Sequence, residues 1–252
     1  VNVVSVMAVN NEVGSISPLR QVAKVVRANA PEAILHTDAV QATCWQDLRE
    51  ISKLVDVLTV SAHKFGGPKG MGITMQRIGL EIDPLIVGGG QERDRRSGTH
   101  NVGGIMATAA ALRETDTTRN SEISRVTKLR DALIDAVISE LDDVLETVAR
   151  DKRVPGIAHL CISGCESESI LFLLDEAMIC ASAASACASG AMEPSHVLLA
   201  MGVDPRFVMG SLRMSLGHTT TEQDIDRASS ALISAVNQLR RNKTATTASA
   251  SI

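Results

Sequence analysis

The chain has 252 residues, 44% of them hydrophobic and 21% charged, with a net charge of −4. That is enough to bury a sizeable core in one large or two modest domains, while a mildly acidic surface gives no electrostatic case for nucleic acid or an anionic membrane, and no apolar run is long enough to span a bilayer. Five cysteines (Cys44, Cys161, Cys165, Cys180 and Cys187), an odd count with no signal segment ahead of them, point to a reducing cytoplasm rather than a disulfide scaffold.

Strand-like apolar runs alternate with helical periodicity in the first half, the pattern of parallel βαβ units and an α/β fold. Val3 to Val9 reads as a buried strand, and the chain opens directly on it without an initiator methionine, as a piece of a longer protein would. Ser17 and Pro18 supply an N-cap and a first-turn proline for a helix whose Leu19, Val22, Ala23 and Val26 share one face, and Pro31 ends it. Two further strands are expected to end at Asp38 and near Val60, and the C-terminal ends of parallel strands are where open sheets place ligands. A hairpin-like stretch from Gly70 to Val87 leads into the glycine-rich loop Gly88 to Thr99. From Ser121 to Val148, apolar residues such as Ile123, Val126, Leu133 and Val144 recur at helical spacing over a length able to link two lobes. A first domain 1–117 and a second domain 118–241 are therefore expected. The second holds an alternating strand at Ile157 to Ser163, a helix from near Ser167, a short strand before Ser182 and a small-residue loop. Pro194 then opens a helix that Gly202 closes, Leu212, Met214 and Leu216 alternate in a strand, and Thr220 with Gln223 forms a capping box for a last helix. The Thr-, Ala- and Ser-rich tail 242–252 is expected to be disordered.

Two of these strand ends carry chemistry. Asp38 closes the run Ile34-Leu35-His36-Thr37, and Lys64 stands in Ser61-Ala62-His63-Lys64-Phe65-Gly66-Gly67-Pro68 after Val55 to Val60. Pyridoxal 5′-phosphate requires such a pair: an amine to hold its aldehyde as a Schiff base, and a carboxylate to keep its pyridine nitrogen protonated so that the ring accepts electrons. Gln41 is near enough to Asp38 to reach the ring's phenolic oxygen, and Ser61 and His63 offer donors to a phosphate. Either residue alone reads as a strand-end aspartate or a surface lysine; the pair in this order favours the cofactor.

Cys187 lies in a run of small side chains from Ala181 to Gly190, which suits an exposed thiol on a mobile loop. The competing reading is a small buried cysteine, as most free cysteines are. The other four cysteines read as structural, and the spacing of Cys161 and Cys165 is not a zinc motif. Arg213 interrupts an apolar strand, so it either pairs internally or faces an anionic ligand. Asn10-Asn11 ahead of Gly14 is a turn signal, Gly88-Gly89-Gly90 by itself marks a turn, and His36, His100, His159, His196 and His218 show no metal-ligand spacing.

In chain order the segments Val9-Asn10-Asn11-Glu12-Val13-Gly14, His36 to Gln41, Ser61 to Gly70, Gly88 to Arg93, Arg96 to Thr99, Ser185-Ala186-Cys187, Glu193-Pro194-Ser195 and Leu212 to Gly217 resemble those of cysteine desulfurases in the class V aminotransferase family. The resemblance implies a fold-type I pyridoxal phosphate transferase, here part of the large domain and all of the small one. It implies conversion of L-cysteine to L-alanine with a persulfide left on Cys187, supplying an iron–sulfur scaffold or another sulfur-acceptor protein. Lys64 would be the Schiff-base lysine and Asp38 the partner of the ring nitrogen. Asn11 (with Asn10 one position away) and Gln41 would contact the phenolic oxygen, and Ser61 and His63 the phosphate. Thr99 would reach across a homodimer interface to the partner's cofactor phosphate, and Arg213, with Asn11, would grip the substrate carboxylate. No metal is implied in catalysis, although Cys187 could ligate a transient iron–sulfur cluster shared with a scaffold. Family members begin earlier, with a phosphate loop and a ring-stacking histidine that have no match in this chain. A selenocysteine lyase, which uses much the same residues, and a noncatalytic chain retaining the dimer surface stay open.

Overall fold

Apolar runs separated by helix signals fold, in the computed structural model, into a four-stranded sheet. β1 (Val3–Met7), β2 (Ile34–Asp38) and β3 (Val57–Ser61) run parallel, and β4 (Gly72–Gln76) returns antiparallel beside β3, in the order β1-β2-β3-β4. The structure describes residues 1–183 and 194–249, and it divides into two compact units: Val1–Val9 with Ile16–Asn120, and Asn10–Ser15 with Ser121–Ile252.

In the first unit α1 (Leu19–Asn29) joins β1 to β2 and buries Leu19, Ala23 and Val26. Its N-cap is Pro18 rather than Ser17, and no side chain caps it. Proline cannot donate at this position, so the missing cap costs one fewer orphan donor than usual. α2 (Leu48–Ser52) follows β2, its first turn capped by the Asp47 carboxylate, which accepts the Arg49 N–H. Asp56, just ahead of β3, accepts from Arg27 at 2.6 Å and from the Leu35 N–H at 2.8 Å, and pairs with Arg77 at 2.9 Å, so one carboxylate ties α1, β2 and the exit of β4 together. Burial alone would raise its pKa; the Arg27 and Leu35 hydrogen bonds and the two guanidinium charges outweigh it and hold the carboxyl below its ordinary value. Beyond β4, α3 (Gln91–Asp94) is a distorted turn with Glu92 and Arg93 at φ 52° and 61°. α4 (Val102–Glu140) is 39 residues long and begins well before Ser121. Val102, Ile105 and Met106 in its first turns are exposed, so that end has no buried apolar stripe by which to recognise it.

In the second unit β5 (Val144–Glu146), β6 (Ile157–Ile162) and β7 (Ser211–Ser215) form an antiparallel sheet in that order. Residues 144–148, expected to continue the long helix, lie beyond its end at Glu140; Asp143, at φ 53°, precedes β5. Every residue of β6 is buried, so this central strand is covered on both faces and does not alternate. α5 (Ser167–Glu176), α6 (His196–Ala200), α7 (Pro205–Val208) and α8 (Glu222–Ser249) complete the unit. The capping box of α8 is Thr221 with Asp224, one residue beyond the expected pair: the Thr221 N–H donates to Asp224 at 2.9 Å and the Asp224 N–H to Thr221 at 3.2 Å, while the Thr220 hydroxyl accepts from the Gly217 N–H. Residues 242–249, expected to lack structure, extend α8. Arg240 donates to the Asp142 and Ser163 carbonyls and Lys243 to that of Gly164, anchoring a helix that then extends one bond per residue.

Candidate active site

The parallel register sets Asp38 beside Thr59, two residues before the end of β3, so Asp38 and the Ser61–Lys64 segment share the C-terminal edge of the sheet. Asp38 Oδ1 accepts the Val40 N–H at 2.8 Å, and among the described residues its other oxygen carries no hydrogen bond. On the same strand face, two residues back, His36 bridges Ser5 Oγ (2.8 Å) and Thr59 Oγ1 (3.1 Å), a polar row behind Asp38 that the ligand-spacing argument overlooked. Gln41 lies half-buried in the turn after Asp38.

After β3 the chain makes a 3₁₀ turn over Ala62–Phe65 that Gly66 closes at φ 85°, a left-handed position suited to glycine. Ala62 and Phe65 are buried, and their burial leaves His63 and Lys64 exposed on the other side. Ser61 Oγ and His63 Nδ1 lie 2.9 Å apart, and the Cys44 thiol donates to the Lys64 carbonyl at 3.4 Å. Among the described residues the Lys64 amine has no ion pair. A carboxylate with a spare oxygen, an unpaired amine and a hydroxyl–imidazole pair at one sheet edge fit a phosphorylated pyridine aldehyde. Thr99 is exposed, next to Gly98, whose N–H is held by Gln91 Oε1 at 2.9 Å.

Within the second unit, the loop Asn10–Ser15 carries further candidate residues. Asn10 Oδ1 accepts the Glu12 and Val13 N–H groups, both at 2.9 Å, which closes the turn and occupies that side chain. Asn11 is exposed, and its side chain makes no hydrogen bond among the described residues; its carbonyl accepts Arg213 Nη1 at 2.9 Å. Glu12 is buried and accepts from Ser195 Oγ at 2.5 Å. Val13 packs with Val148, Cys161, Leu198, Phe207 and Val208. Gly14 sits at φ 77°, and a Cβ there would lie 2.9 Å from Ile157 Cβ.

Among the described residues Arg213 is therefore held through one side-chain nitrogen, and its buried Nε has no hydrogen-bond partner. Directly across the sheet from it stands His159, fully buried, with Nδ1 3.0 Å from Thr147 Oγ1 and Nε2 unpartnered. Burial, reinforced by the Arg213 and Arg153 charges, pushes the His159 pKa down to about 4, so the imidazole is neutral at physiological pH. An arginine with an unused buried N–H and a neutral neighbour can take a carboxylate without a competing cation beside it. Glu12, Ser195 and His159 carry no role in the sequence reading, and no local pattern marks Glu12, whose partner Ser195 is 183 residues away.

Cys187 lies outside the described residues. Of the other cysteines, Cys161 and Cys165 are buried, Cys44 is half-buried and Cys180 exposed, all as free thiols. Burial, with the Glu12 charge adding to it, pushes the Cys161 thiol up to about 12, which rules it out as a thiolate nucleophile at neutral pH.

Residues 1–228 match the aminotransferase class-V family model. Over 245 residues the chain is 44% identical to the IscS-like cysteine desulfurase of Mycobacterium tuberculosis, covering 96% of this chain and 61% of that protein, and over 237 residues it is 39% identical to the cysteine desulfurase IscS of Dictyoglomus turgidum, covering 94% and 60%. Among solved structures, a NifS-like protein superposes with a TM-score of 0.84 at 34% identity, and the NifS-like protein of Rickettsia africae with 0.79 at 30%, each over 94% of this chain and 61% of the other. The chain thus spans about three-fifths of the length of the proteins it matches.

Proposed function

The chain belongs to the aminotransferase class-V family and carries the mostly parallel α/β fold of its NifS-like, fold-type I members; from this premise we propose that the whole protein is a cysteine desulfurase that forms L-alanine from L-cysteine and leaves a persulfide on Cys187. The family depends on pyridoxal 5′-phosphate, which supplies an electron sink at the substrate Cα when bound. The observation that carries the reading is the strand-edge group: Ser61 paired with His63 and, among the described residues, Asp38 with a free carboxylate oxygen and Lys64 with an unpaired amine. Asp38 would hold the ring nitrogen protonated, Gln41 and Asn11 would hold the phenolic oxygen, and Ser61, His63 and a partner's Thr99 the phosphate. Asn10 is occupied by its own turn, which favours Asn11 of the two.

The Arg213 guanidinium grips the substrate carboxylate, and the Lys64 amine moves the proton at Cα. The Cys187 sulfur then attacks the substrate sulfur. A sulfur–sulfur bond forms as the carbon–sulfur bond breaks, the electron pair leaves with carbon, and a proton completes the methyl group of alanine. L-Cysteine and one thiol therefore give L-alanine and one persulfide, with no external oxidant. The relatives' desulfurase names support this chemistry over a noncatalytic role. The acceptor is a scaffold or thiolation protein that takes sulfur from Cys187, with a transient cluster shared there as the finer version. A homodimer fits the exposed Ile78, Leu85 and Val87, which precede the Gly88–Thr99 loop in the chain, and a reducing cytoplasm fits four free cysteines among the described residues.

The test is turnover by the full-length, cofactor-loaded protein. L-Cysteine should yield equal alanine and sulfide in the presence of thiol reductant, and K64A should lose turnover, the cofactor's visible absorbance and borohydride trapping at this site. Turnover confined to selenocysteine would favour a lyase. No turnover of either, or a reducible adduct on another lysine, contradicts the proposal.

A further inference from the structure

Both ends of the interval 184–193, which contains Cys187, are tied within the second unit to the surroundings of Arg213. On the N-terminal side, Ser182 exchanges two backbone hydrogen bonds with Arg213, at 3.0 and 2.8 Å. On the C-terminal side, the Ser195 hydroxyl donates to Glu12 Oε1 at 2.5 Å, with both residues 6% exposed. The same Ser195 oxygen accepts from the Val197 and Leu198 N–H groups at 3.2 and 3.3 Å and so starts α6. Glu12 in turn follows Asn11, whose carbonyl holds Arg213. Arg213, Asn11, Glu12 and Ser195 thus make one connected frame, with Ser182 at its other end.

A buried carboxylate is costly unless something uses its charge. Glu12 is 6% exposed, the next residue Val13 belongs to an apolar cluster with Cys161 and Leu198, and the Glu12 charge is felt by the Cys161 thiol. What the carboxylate adds is a directional, charge-assisted bond to one hydroxyl, strengthened because that hydroxyl also accepts two amides. We propose that Glu12 is a positioning residue for sulfur transfer: by holding Ser195 it fixes the C-terminal root of the Cys187 interval to the same loop that holds Arg213, so that nucleophile and carboxylate grip keep a common reference. This rests on the desulfurase reading above.

The experiment uses the full-length, cofactor-loaded protein and two variants, E12A and the isosteric E12Q. Two readouts are taken: kcat and KM for L-cysteine, and the rate at which iodoacetamide alkylates Cys187, followed by mass spectrometry. In E12A, kcat should fall by roughly tenfold to a hundredfold, the range that small misplacements of a reacting group produce. KM should hold, because Arg213 keeps the Asn11 carbonyl, the cofactor absorbance should be retained, and alkylation should speed up. E12Q keeps an acceptor for Ser195 through a weaker neutral bond, so its kcat and alkylation rate should fall measurably between those of E12A and the parental protein. Parental kcat and alkylation in folded E12A, or a change in KM alone, would overturn the proposal. If E12A does not fold, E12Q decides, because the weaker neutral bond should still lower kcat and speed alkylation measurably, and parental values in both would overturn it. If the parental protein makes no alanine from cysteine, the desulfurase reading fails, while the alkylation rates still decide whether Glu12 holds this root.

Discussion

His159 should make the second unit sensitive to mild acid, and the size of the effect follows from its surroundings. The ring is fully buried on β6, bonded through Nδ1 to Thr147, with the Arg213 and Arg153 charges nearby. Burial first and those charges second bring its pKa from 6.5 to about 4. Between those values the unfolded chain takes up a proton that the folded chain refuses, so stability is full above about pH 6.5, falls as pH drops, and levels off near pH 4 once the folded state protonates as well. At about 1.4 kcal/mol per pH unit, the whole window is worth about 3 kcal/mol, and the loss by about pH 5 is about 2 kcal/mol. Urea midpoints measured from about pH 7.5 to 4.5 should record that decline. H159N keeps a polar partner for Thr147 but cannot titrate, so its midpoint should decline less over the same window by that amount. Identical slopes for the two proteins would refute the argument, and with it the inference that Arg213 has a neutral neighbour when it receives its ligand.

Two further outcomes test the loop and the arginine. G14A should lose roughly 2–4 kcal/mol in urea denaturation, since alanine must adopt φ 77° and bring its Cβ to 2.9 Å from Ile157 Cβ; parental stability would mean that the turn relaxes freely. R213A should raise KM for cysteine by the equivalent of roughly 2–4 kcal/mol, the cost of losing a buried charge-assisted pair, with cofactor still bound. An unchanged KM in a folded, loaded protein would make Arg213 a structural tie to Asn11 and nothing more.

The α/β fold was legible because β2 and β3 are short apolar runs set between helix signals and bury residues in the sheet, whereas β1 and β4 bury none. Boundaries were legible only where burial marks them. The first turns of α4 expose Val102, Ile105 and Met106, so no stripe announces them, and Val144 has the apolar character of a helix face but stands in β5, past the helix end at Glu140. The α8 capping box slipped by one because Thr220 and Thr221 are adjacent and only the structure shows which hydroxyl faces Asp224. Asp38 and Lys64 could be singled out because strand ends and small-residue turns are local features. Glu12 could not, since its partner Ser195 is 183 residues away, and pairings at that distance leave no periodicity to read. Likewise nothing local separates Asn10, whose side chain closes a turn, from Asn11, whose side chain is free.

Persulfide location tests the central claim most directly. The full-length, cofactor-loaded protein is treated with L-cysteine without reductant, its thiols are blocked, and the peptides are weighed by mass spectrometry. One added sulfur should appear on the peptide containing Cys187, and C187S should bind cofactor but form neither that adduct nor alanine. Sulfur carried instead by Cys44, Cys161, Cys165 or Cys180, or parental alanine formation by C187S, would contradict the account.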